Sequence, residues 1–364
     1  MYSPRMSNRI PPEGFKGRGA FGNPANRFDR AHAEAVDDGW FQDELPASIA
    51  TEVRVDTTRS IIARNDSPDI VYEQSINPYR GCEHGCVFCY ARPSHAFLGM
   101  SPGIDFETRL TYKPEAAALL RDELSKPGYV CKPIMLGSNT DPYQPVEKSL
   151  RITRSVLEVL AETRHPVMIT TRSTLLLRDL DLLAPMAAQG LASVIYSITT
   201  FDHDLKRRLE PRSAASLARL AAVRELRAAG VRVGVLAAPM IPMVNDSELE
   251  EILERGADAG ATHSGYVLLR LPLEVADLFR QWLQTHMPDR AEHVMSLMRQ
   301  THGGKEYASA FGARMRGTGA WAQLLRDRFR LACRKYGLTA SRGVTPDTTL
   351  FRPPSRGGQI GLDF

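Results

Sequence analysis

Three of the chain's five cysteines fall within the stretch Gly81-Cys82-Glu83-His84-Gly85-Cys86-Val87-Phe88-Cys89-Tyr90. The spacing C-x3-C-x2-C allows three thiolates to face one metal centre from a single loop. A structural zinc site would need a fourth ligand, for which His84 or His95 is available. An iron–sulfur cluster with three thiolates would instead leave one iron open for chemistry. The residues leave both kinds of site open and favour the cluster.

Downstream of the cysteines, short apolar runs alternate with helix patterns. The predicted strand cores are residues 134–136, 167–169, 194–198, 233–236 and 266–269. Between them, apolar side chains spaced i, i+3 and i+4 predict helices. Examples are Ile152, Val156, Leu157 and Leu160, and Leu217, Leu220, Val223 and Leu226. This alternation predicts a βα-repeat domain whose parallel strands are joined by right-handed crossovers.

Polar or turn-forming side chains follow the predicted strands. They occupy residues 137–141, 170–173, 199–200, 239–242 and 270–272. Parallel βα folds build their active sites at the carboxyl ends of the strands. Five consecutive loops of this kind therefore favour a barrel mouth over a single crevice.

The composition excludes several classes of protein. With 364 residues, 43% hydrophobic and 24% charged, the chain is not collagen-like, a coiled coil or wholly disordered. The apolar run near residues 233–244 contains two prolines and is too short to span a bilayer. The first residues lack the apolar region of a secretory signal, and five cysteines are an odd number for a disulfide framework. We expect a cytoplasmic protein without a membrane partner.

We expect three parts along the chain. Residues 1–65 form an extended N-terminal arm, residues 66–285 a core barrel and residues 286–364 a basic, mainly helical C-terminal extension. The arm has no helical or strand period. It is interpreted either as a floppy terminus or as a strap over the domain that follows.

The C-terminal extension concentrates positive charge. Between residues 290 and 356 it carries thirteen Lys or Arg against four Asp or Glu. An amphipathic helix pattern includes the apolar residues Leu324, Leu325, Phe329 and Ala332. The basic residues beside it, which accompany Trp321, are Arg326, Arg328, Arg330, Arg334 and Lys335. This basic face is interpreted either as a solvated surface or as one that follows the phosphates of a nucleic acid.

The cysteine spacing, with an aromatic residue before the last cysteine, resembles the signature of the radical S-adenosylmethionine (SAM) superfamily. Further segments resemble the uncharacterised members grouped with the spore photoproduct lyases and often labelled DNA repair photolyases. These segments are residues 75–82, 91–95, 137–147 and 210–212. The resemblance covers roughly residues 17–364.

The resemblance implies an α/β fold, a partial (β/α)6 TIM-like barrel, with a [4Fe–4S] cluster held by Cys82, Cys86 and Cys89. The open iron would bind SAM through its amino and carboxylate groups. An electron from a donor such as flavodoxin or ferredoxin would then split SAM into methionine and a 5′-deoxyadenosyl radical. That radical would abstract hydrogen from an unidentified substrate, for which a nucleic acid is a candidate.

The resemblance also implies which side chains contact SAM. The loop after the second barrel strand would meet the methionine amino group, and the end of the third strand its carboxylate. The end of the fourth strand would face the ribose or carboxylate, and one aromatic residue the adenine. The residues of the second-strand loop are Ser138, Asn139 and Thr140, with Asp141 joining them or capping the loop. Those at the end of the third strand are Arg172 and Ser173, and those at the end of the fourth are Ser197 and Thr199. The aromatic residue is Tyr90. Each also has a plainer interpretation, as a turn, surface or packing residue.

The chain departs from the photoproduct lyases at two positions. Those enzymes place a hydrogen-donating cysteine at the end of the second strand, where this chain has Ser138. Cys131 is offset by seven residues and is interpreted, like Cys333, as a small buried apolar residue. Phe88 stands where the lyases carry a tyrosine. Photoproduct repair by the same mechanism is therefore not expected. The alternative from a different class is a non-catalytic zinc or iron–sulfur protein that binds nucleic acid.

Overall fold

Alternating strands and helices make up most of the described chain. The structure is a computed structural model, and it describes residues 14–29, 48–340 and 345–354. The strands are β1 (Glu52–Val55), β2 (Ile62–Arg64), β3 (Gln74–Ile76), β4 (Tyr79–Arg80), β5 (Arg109–Tyr112), β6 (Ile134–Leu136), β7 (Val167–Thr171), β8 (Ala192–Ile198), β9 (Arg232–Met240), β10 (His263–Leu268) and β11 (Thr339–Ala340). The α-helices are α1 (Asp105–Thr108), α2 (Ala116–Leu124), α3 (Glu147–Leu150), α4 (Ile152–Glu162), α5 (Leu180–Ala188), α6 (His203–Leu209), α7 (Ser216–Ala228), α8 (Leu249–Asp258), α9 (Val275–His286), α10 (Pro288–Thr301) and α11 (Gly319–Lys335).

Six parallel strands form the centre of the larger sheet. Its order is β11-β10-β9-β8-β7-β6-β3-β2, and the neighbouring strands from β3 to β10 pair in parallel. β2 lies antiparallel to β3 at one edge, and β11 lies parallel to β10 at the other. A smaller sheet has the order β1-β5-β4. Six parallel strands with intervening helices confirm the predicted partial (β/α)6 fold.

The predicted strands and helices are largely confirmed. Residues 134–136, 167–169, 194–198 and 233–236 all lie in strands, and the fifth core, 266–269, ends one residue beyond β10. The apolar stripes of α4 and α7 are buried against the sheet, as Leu157 and Val223 illustrate. Two predicted core residues are instead exposed, Leu217 by 63% and Leu324 by 56%. With 3.6 residues per turn, Leu217 lies on the side of α7 opposite Leu226.

The described part of the N-terminal arm contacts the cysteine loop, residues 81–90. The backbone N–H groups of Gly19 and Ala20 each donate a 2.9 Å hydrogen bond to the carboxylate of Glu107. A Cβ atom added at Gly19 would lie 1.8 Å from the carbonyl oxygen of Gly85, which leaves room only for glycine. Residues 14–29 therefore form a strap over this loop, in agreement with the second interpretation of the arm. Residues 1–13 and 30–47 lie outside the described part.

The C-terminal extension shares the core of the barrel. In its described part, α10 and α11 are helical as predicted, and β11 joins the larger sheet beside β10. Leu325 and Ala332 of α11 belong to the main apolar core. No helix in the described ranges is long and apolar enough to cross a membrane. Residues 341–344 and 355–364 lie outside the described ranges.

Candidate active site

One cavity opens where the parallel strands end. It has a volume of about 240 Å³, and the cysteine loop forms one wall. The carboxyl-terminal parts of β6 to β10 and the segments after β6, β7 and β10 contribute most of the rest, so polar residues that are distant in sequence meet here, as expected for a parallel βα fold. Its polar and sulfur-containing lining residues are Tyr72, Cys82, His84, Cys86, Cys89, Tyr90, Met135, Ser138, Asn139, Thr140, Asp141, Thr170, Thr171, Arg172, Ser197, Arg270 and Met315.

The cysteine loop is held by hydrogen bonds to three separate segments. The N–H of Cys82 donates to the carbonyl of Phe106, at 2.9 Å, and the N–H of Val87 donates to the carbonyl of Leu209, at 3.0 Å. Arg92 Nε donates a 2.9 Å bond to the carbonyl of Cys86. These bonds fix the loop so that all three cysteines line the cavity.

Arg92 is itself anchored by a buried carboxylate. Its guanidinium forms an ion pair with Glu107, and both side chains are completely buried. Glu107 also accepts the two strap hydrogen bonds from Gly19 and Ala20. The strap, Glu107, Arg92 and the Cys86 carbonyl are therefore linked in one chain of contacts. Sequence reasoning did not identify Glu107, because nothing near it in the sequence signals a distant arginine partner.

The donor set fits an iron–sulfur cluster better than a single zinc ion. All three cysteines are free, and Cys82 and Cys86 are buried. Burial raises the pKa of all three thiols, so buried thiolates here need a bound positive charge. Within the described ranges no three His, Cys, Asp or Glu side chains converge as around one ion. A four-iron cluster bonds each thiolate to a different iron and so suits three separated thiols.

The two histidines considered as zinc ligands are differently placed. His84 lines the cavity, and its Nδ1 lies 3.3 Å from a carboxylate oxygen of Asp141. His95 is buried away from the cavity lining, with Nε2 3.0 Å from the carbonyl of Arg109. Burial lowers the pKa of His95 to about 4, so its ring is neutral at neutral pH. A neutral imidazole could ligate zinc, but His95 does not line the cavity and its Nε2 contacts the Arg109 carbonyl, so it does not complete a site with the three cysteines in this arrangement.

The loop after β6 is built around Asp141. One oxygen of its carboxylate accepts from the Tyr143 N–H and the Thr171 hydroxyl, both at 2.8 Å, and the other accepts from the Arg172 N–H at 2.7 Å. This is the capping role predicted as one alternative for Asp141. The same aspartate joins the ends of β6 and β7, because Thr171 is the last residue of β7.

Ser138, Asn139 and Thr140 line the cavity together, as predicted, but their groups differ in availability. The Ser138 hydroxyl and the Asn139 N–H both donate to Asn77 Oδ1, at 3.3 and 3.1 Å. The Thr140 hydroxyl donates to the carbonyl of Tyr79, at 3.0 Å, so its proton is already used. Because Ser138 and Asn139 are partly exposed whereas Thr140 is buried, Ser138 and Asn139 are the better candidates for contact with a ligand.

Arg172 lines the cavity with its side chain held in place. Its Nη1 lies 2.9 Å from Glu210 Oε2 and 3.0 Å from the Thr199 hydroxyl, and Nη2 donates to the Ala238 carbonyl at 3.1 Å. Burial would raise the pKa of Glu210, but Arg219 and Arg172 together lower it below its usual value. The Glu210 carboxylate thus forms ion pairs with two guanidiniums, and these contacts hold Arg172 at the cavity wall.

Two predicted SAM contacts do not line the cavity. The Ser173 hydroxyl accepts a 3.2 Å bond from the Leu175 N–H and caps the short 3-10 helix Thr174–Asp179. Thr199 is completely buried beneath Arg172, where its hydroxyl donates to the Ala238 carbonyl at 3.0 Å. Ser197 does line the cavity. The cavity lining gives no support to a direct role for Ser173 or Thr199, which act locally as the plainer interpretation predicts.

The cavity mouth contains aromatic and basic side chains from distant segments. Tyr90 lines it with 41% of its surface exposed, and its hydroxyl donates to the Ser138 carbonyl. The guanidinium of Arg270 lies 4.5 Å from the centroid of the Tyr90 ring. Tyr72 and Met315 complete this part of the lining and were not identified from the sequence. Tyr72 precedes the first barrel strand and lacks a recognisable motif.

No cysteine besides the three in the loop lines this cavity. Cys131 lies three residues before β6, at the amino end of that strand and opposite to the cavity. Cys333 is buried in α11, with its sulfur 3.2 Å from the Ser264 hydroxyl. Cys333 agrees with its interpretation as a small buried apolar residue, whereas Cys131 is only partly buried.

Comparisons with known proteins find one matching family model and several uncharacterized relatives. A family model described as the radical SAM superfamily matches residues 76–256. An uncharacterized protein of Mycobacterium tuberculosis is 34% identical over 280 residues, which cover 76% of this chain and 78% of that protein. An uncharacterized protein of Methanocaldococcus jannaschii is 26% identical over 219 residues, covering 60% of this chain and 78% of that protein.

A solved structure shares the fold. A mutant of spore photoproduct lyase with bound AdoMet and dinucleoside spore photoproduct superimposes with a TM-score of 0.55 at 16% sequence identity. The match covers 79% of this chain and 80% of that chain. At this identity the likeness is one of fold, and it confirms the partial barrel.

Proposed function

The chain belongs to the radical SAM superfamily, whose enzymes use a [4Fe–4S] cluster and S-adenosylmethionine, and we propose that Cys82, Cys86 and Cys89 bind that cluster. When bound, the cluster supplies one electron that cleaves SAM reductively and yields a 5′-deoxyadenosyl radical for hydrogen abstraction. The observation that carries the assignment is that three free cysteines line one wall of a cavity at the carboxyl ends of the strands. The protein's own contribution is to hold the loop, orient SAM and exclude water.

We propose that the polar and aromatic residues lining the cavity beside the cysteines bind SAM. Arg172 carries the charge that suits the SAM carboxylate, and its position is fixed by Glu210. Ser138 and Asn139 offer polar groups for the methionine amino group, and Thr140 shapes their loop. Ser197 lies near enough to line the same cavity, and the exposed ring of Tyr90 offers a face to the adenine. Ser173 and Thr199 support this wall through their local bonds.

We propose the reductant, the cellular location and the class of substrate from the chemistry of the site. A superfamily enzyme needs a reductant, for which a flavodoxin or ferredoxin is suited. A reducing compartment, the cytoplasm, would keep five free cysteines reduced. The substrate is proposed to be a nucleic acid, because the guanidinium of Arg270 lies against the exposed ring of Tyr90 at the cavity mouth. Ser138 replaces the cysteine donor of the lyases, and a hydroxyl O–H bond is too strong to do the same work, so repair by that mechanism is not proposed.

Anaerobic reconstitution tests the proposal. The purified protein is loaded with iron and sulfide, reduced with dithionite in the presence of SAM, and analysed by chromatography for 5′-deoxyadenosine. We expect about four irons per chain and a product that is lost in the triple Cys82→Ala, Cys86→Ala, Cys89→Ala variant. Cys131→Ala is the matched control and should retain both iron and product.

Two results would contradict the proposal. Product formation by the triple variant would separate SAM cleavage from the three cysteines. Stoichiometric zinc with no iron after anaerobic isolation and reconstitution would instead favour the alternative of a non-catalytic nucleic-acid-binding protein. Iron content and product are measured on the same sample, so a loading failure is distinguished from a catalytic failure.

A further inference from the structure

The backbone of the cysteine loop is held by different partners at different cysteines. At Cys86, the carbonyl accepts a 2.9 Å hydrogen bond from Arg92 Nε. On the two sides of Cys82, the Gly81 carbonyl and the Glu83 N–H belong to buried residues. Buried backbone groups of this kind are rarely left without a hydrogen bond. A separate contact is therefore needed to satisfy the backbone around Cys82.

One side chain satisfies both of these groups. The amide nitrogen of Gln144 donates to the Gly81 carbonyl at 3.1 Å, and the amide oxygen accepts from the Glu83 N–H at 2.9 Å. Gln144 is completely buried. A primary amide carries a donor and an acceptor side by side without a charge, whereas an ionised carboxylate carries acceptors alone. Gln144 therefore bridges the backbone on both sides of Cys82 with the one kind of group that matches it.

The backbone at this point has little freedom to find other partners. Gly81 has a φ of +77°, and a Cβ atom added to it would lie 2.6 Å from Leu110 Cδ2 and 2.9 Å from the Phe106 carbonyl oxygen. The Cys82 N–H already donates to that same carbonyl, at 2.9 Å. Loss of the Gln144 amide would therefore leave two buried backbone groups without a partner, which destabilises the local conformation.

Gln144 acts from outside the space that is available to ligands. It does not line the cavity, whereas Ser138 and Asn139 of the same loop do. The Gln144 N–H lies 3.4 Å from the Asp141 carbonyl, so the residue is also tied to the loop that presents them. Through this one side chain, the loop after β6 is joined to the backbone at Cys82.

We infer that Gln144 is the positioning residue for Cys82. Its amide fixes the backbone that directs the Cys82 thiol to the cavity, and it sets the place of that thiol relative to the loop proposed to contact SAM. The inference rests on the proposed function and adds to it a residue that lies outside the cavity. Loss of the amide should release Cys82 while Arg92 still holds Cys86.

A second buried glutamine serves as the matched control. Gln74 is the first residue of β3 and pairs with Ile134, the first residue of β6, so it lies at the amino end of the sheet. Its amide donates to the Val130 carbonyl at 3.2 Å and accepts from the Tyr129 hydroxyl at 2.7 Å. Gln74→Met therefore removes as many hydrogen bonds of a buried amide as Gln144→Met does, at the opposite end of the strands.

Alkylation of the cluster-free protein tests the inference. Iodoacetamide is added for increasing times, and tandem mass spectrometry gives the alkylation rate of each cysteine. In Gln144→Met we expect the rate at Cys82 to rise about tenfold or more, because local opening no longer breaks two buried hydrogen bonds. The rates at Cys86 and Cys89 should change far less. Gln74→Met should leave all three rates as they are in the natural protein.

The reconstituted protein and a milder variant give two further readouts. The electron paramagnetic resonance spectrum of the dithionite-reduced cluster should change in Gln144→Met and not in Gln74→Met, because residues behind a ligand set its orientation. Gln144→Asn keeps an amide that is too short to reach both backbone groups. It should accelerate alkylation of Cys82 several-fold, and it provides the test if Gln144→Met does not fold.

Three results would overturn the inference. They are equal acceleration at all three cysteines, an unchanged rate at Cys82 in folded Gln144→Asn, and an effect of Gln74→Met on Cys82 as large as that of Gln144→Met. These outcomes are distinct from failure of the proposed function, because alkylation is measured without iron. Natural protein that takes up no iron, together with selective release of Cys82 in the variants, would refute the cluster and leave the positioning role standing.

Discussion

The carboxylate of Glu210 and the guanidinium of Arg172 form an ion pair at the wall of the cavity, with 2.9 Å between Oε2 and Nη1. The other carboxylate oxygen holds Arg219, which is completely buried. Glu210 follows α6 directly and Arg172 follows β7, so the pair joins two consecutive βα units. The single Glu210 carboxylate pairs with both Arg172 and Arg219 and so neutralises only part of their charge. Arg172 therefore remains able to attract an anionic ligand while its position is fixed.

Glu210→Gln should destabilise the protein strongly. The substitution leaves two guanidiniums around a neutral amide in a buried site, and removal of one partner from a buried ion pair costs about 3 to 5 kcal/mol. Urea unfolding of the protein without cluster measures the loss. Glu250→Gln is the matched control, because its partner Arg328 is partly exposed and the expected cost is below about 1 kcal/mol. Equal losses would mean that Glu210 is not the organising charge of this wall.

Arg172→Ala should weaken SAM binding by about 1 to 3 kcal/mol, the usual value of a charge-assisted hydrogen bond. Arg172→Lys should recover only part of the loss, because an ammonium group cannot bond the carboxylate with two parallel N–H groups. Isothermal titration of reconstituted protein with SAM, without reductant, gives the two dissociation constants. Arg207→Ala on the exposed surface of α6 is the control. A SAM dissociation constant unchanged by Arg172→Ala would remove Arg172 from the site.

Gly19→Ala should loosen the strap and expose the cluster. The new Cβ would meet the Gly85 carbonyl at 1.8 Å, so the strap or the cysteine loop must move. We expect a cluster absorbance that decays several-fold faster in air than in the natural protein. Gly17→Ala is the matched control in the same strap, since nothing lies within 4 Å of its added Cβ. Its φ of +74° costs only about 1 kcal/mol of conformational strain. Equal decay rates for the two variants would show that strap contact does not protect the cluster.

His165 should make stability dependent on pH between about 6.5 and 4. Burial lowers the pKa of this histidine from 6.5 to about 4. As the pH falls below 6.5, His165 binds a proton in the unfolded chain but not in the folded chain. The free energy of unfolding therefore decreases. For one such group the loss is about 2 kcal/mol at pH 5.

His165→Gln tests this dependence, because it removes the titrating ring while keeping a polar side chain. Urea unfolding of the cluster-free protein gives the free energy of unfolding at pH 7.5 and at pH 5. Its decrease between the two pH values should be about 2 kcal/mol smaller in the variant than in the natural protein. His203→Gln is the control, since that side chain is 81% exposed. An identical pH dependence in His165→Gln and the natural protein would contradict the prediction.

Local patterns in the sequence were sufficient for the fold and the cluster loop. Cys82, Cys86 and Cys89 are close in the chain, so their spacing alone restricts what they can bind. The strand cores were predictable because burial on both faces of a parallel strand leaves a continuous apolar run, as at residues 134–136. The carboxyl-end position of the polar loops followed from the topology of parallel strands.

Contacts between distant segments could not be predicted. The bond between Gly19 and Glu107 joins residues 88 positions apart, and neither residue carries a motif. The same holds for Tyr72 and Met315 in the cavity lining. For Ser173 and Thr199 the residue types allowed either a ligand contact or a local bond, and the difference depends on side-chain direction.

The sequence by itself determined the class of the protein, the short spacing of the three cysteines and the position of the polar loops at the carboxyl ends of the strands. Only the tertiary structure decided that Glu210 fixes Arg172, that the strap covers the cysteine loop and that Met315, from the loop between α10 and α11, lines the cavity. The physical reason is the range of the interactions. Periodicity and short spacings act along the chain, whereas a buried charge is satisfied by whichever partner the fold brings to it.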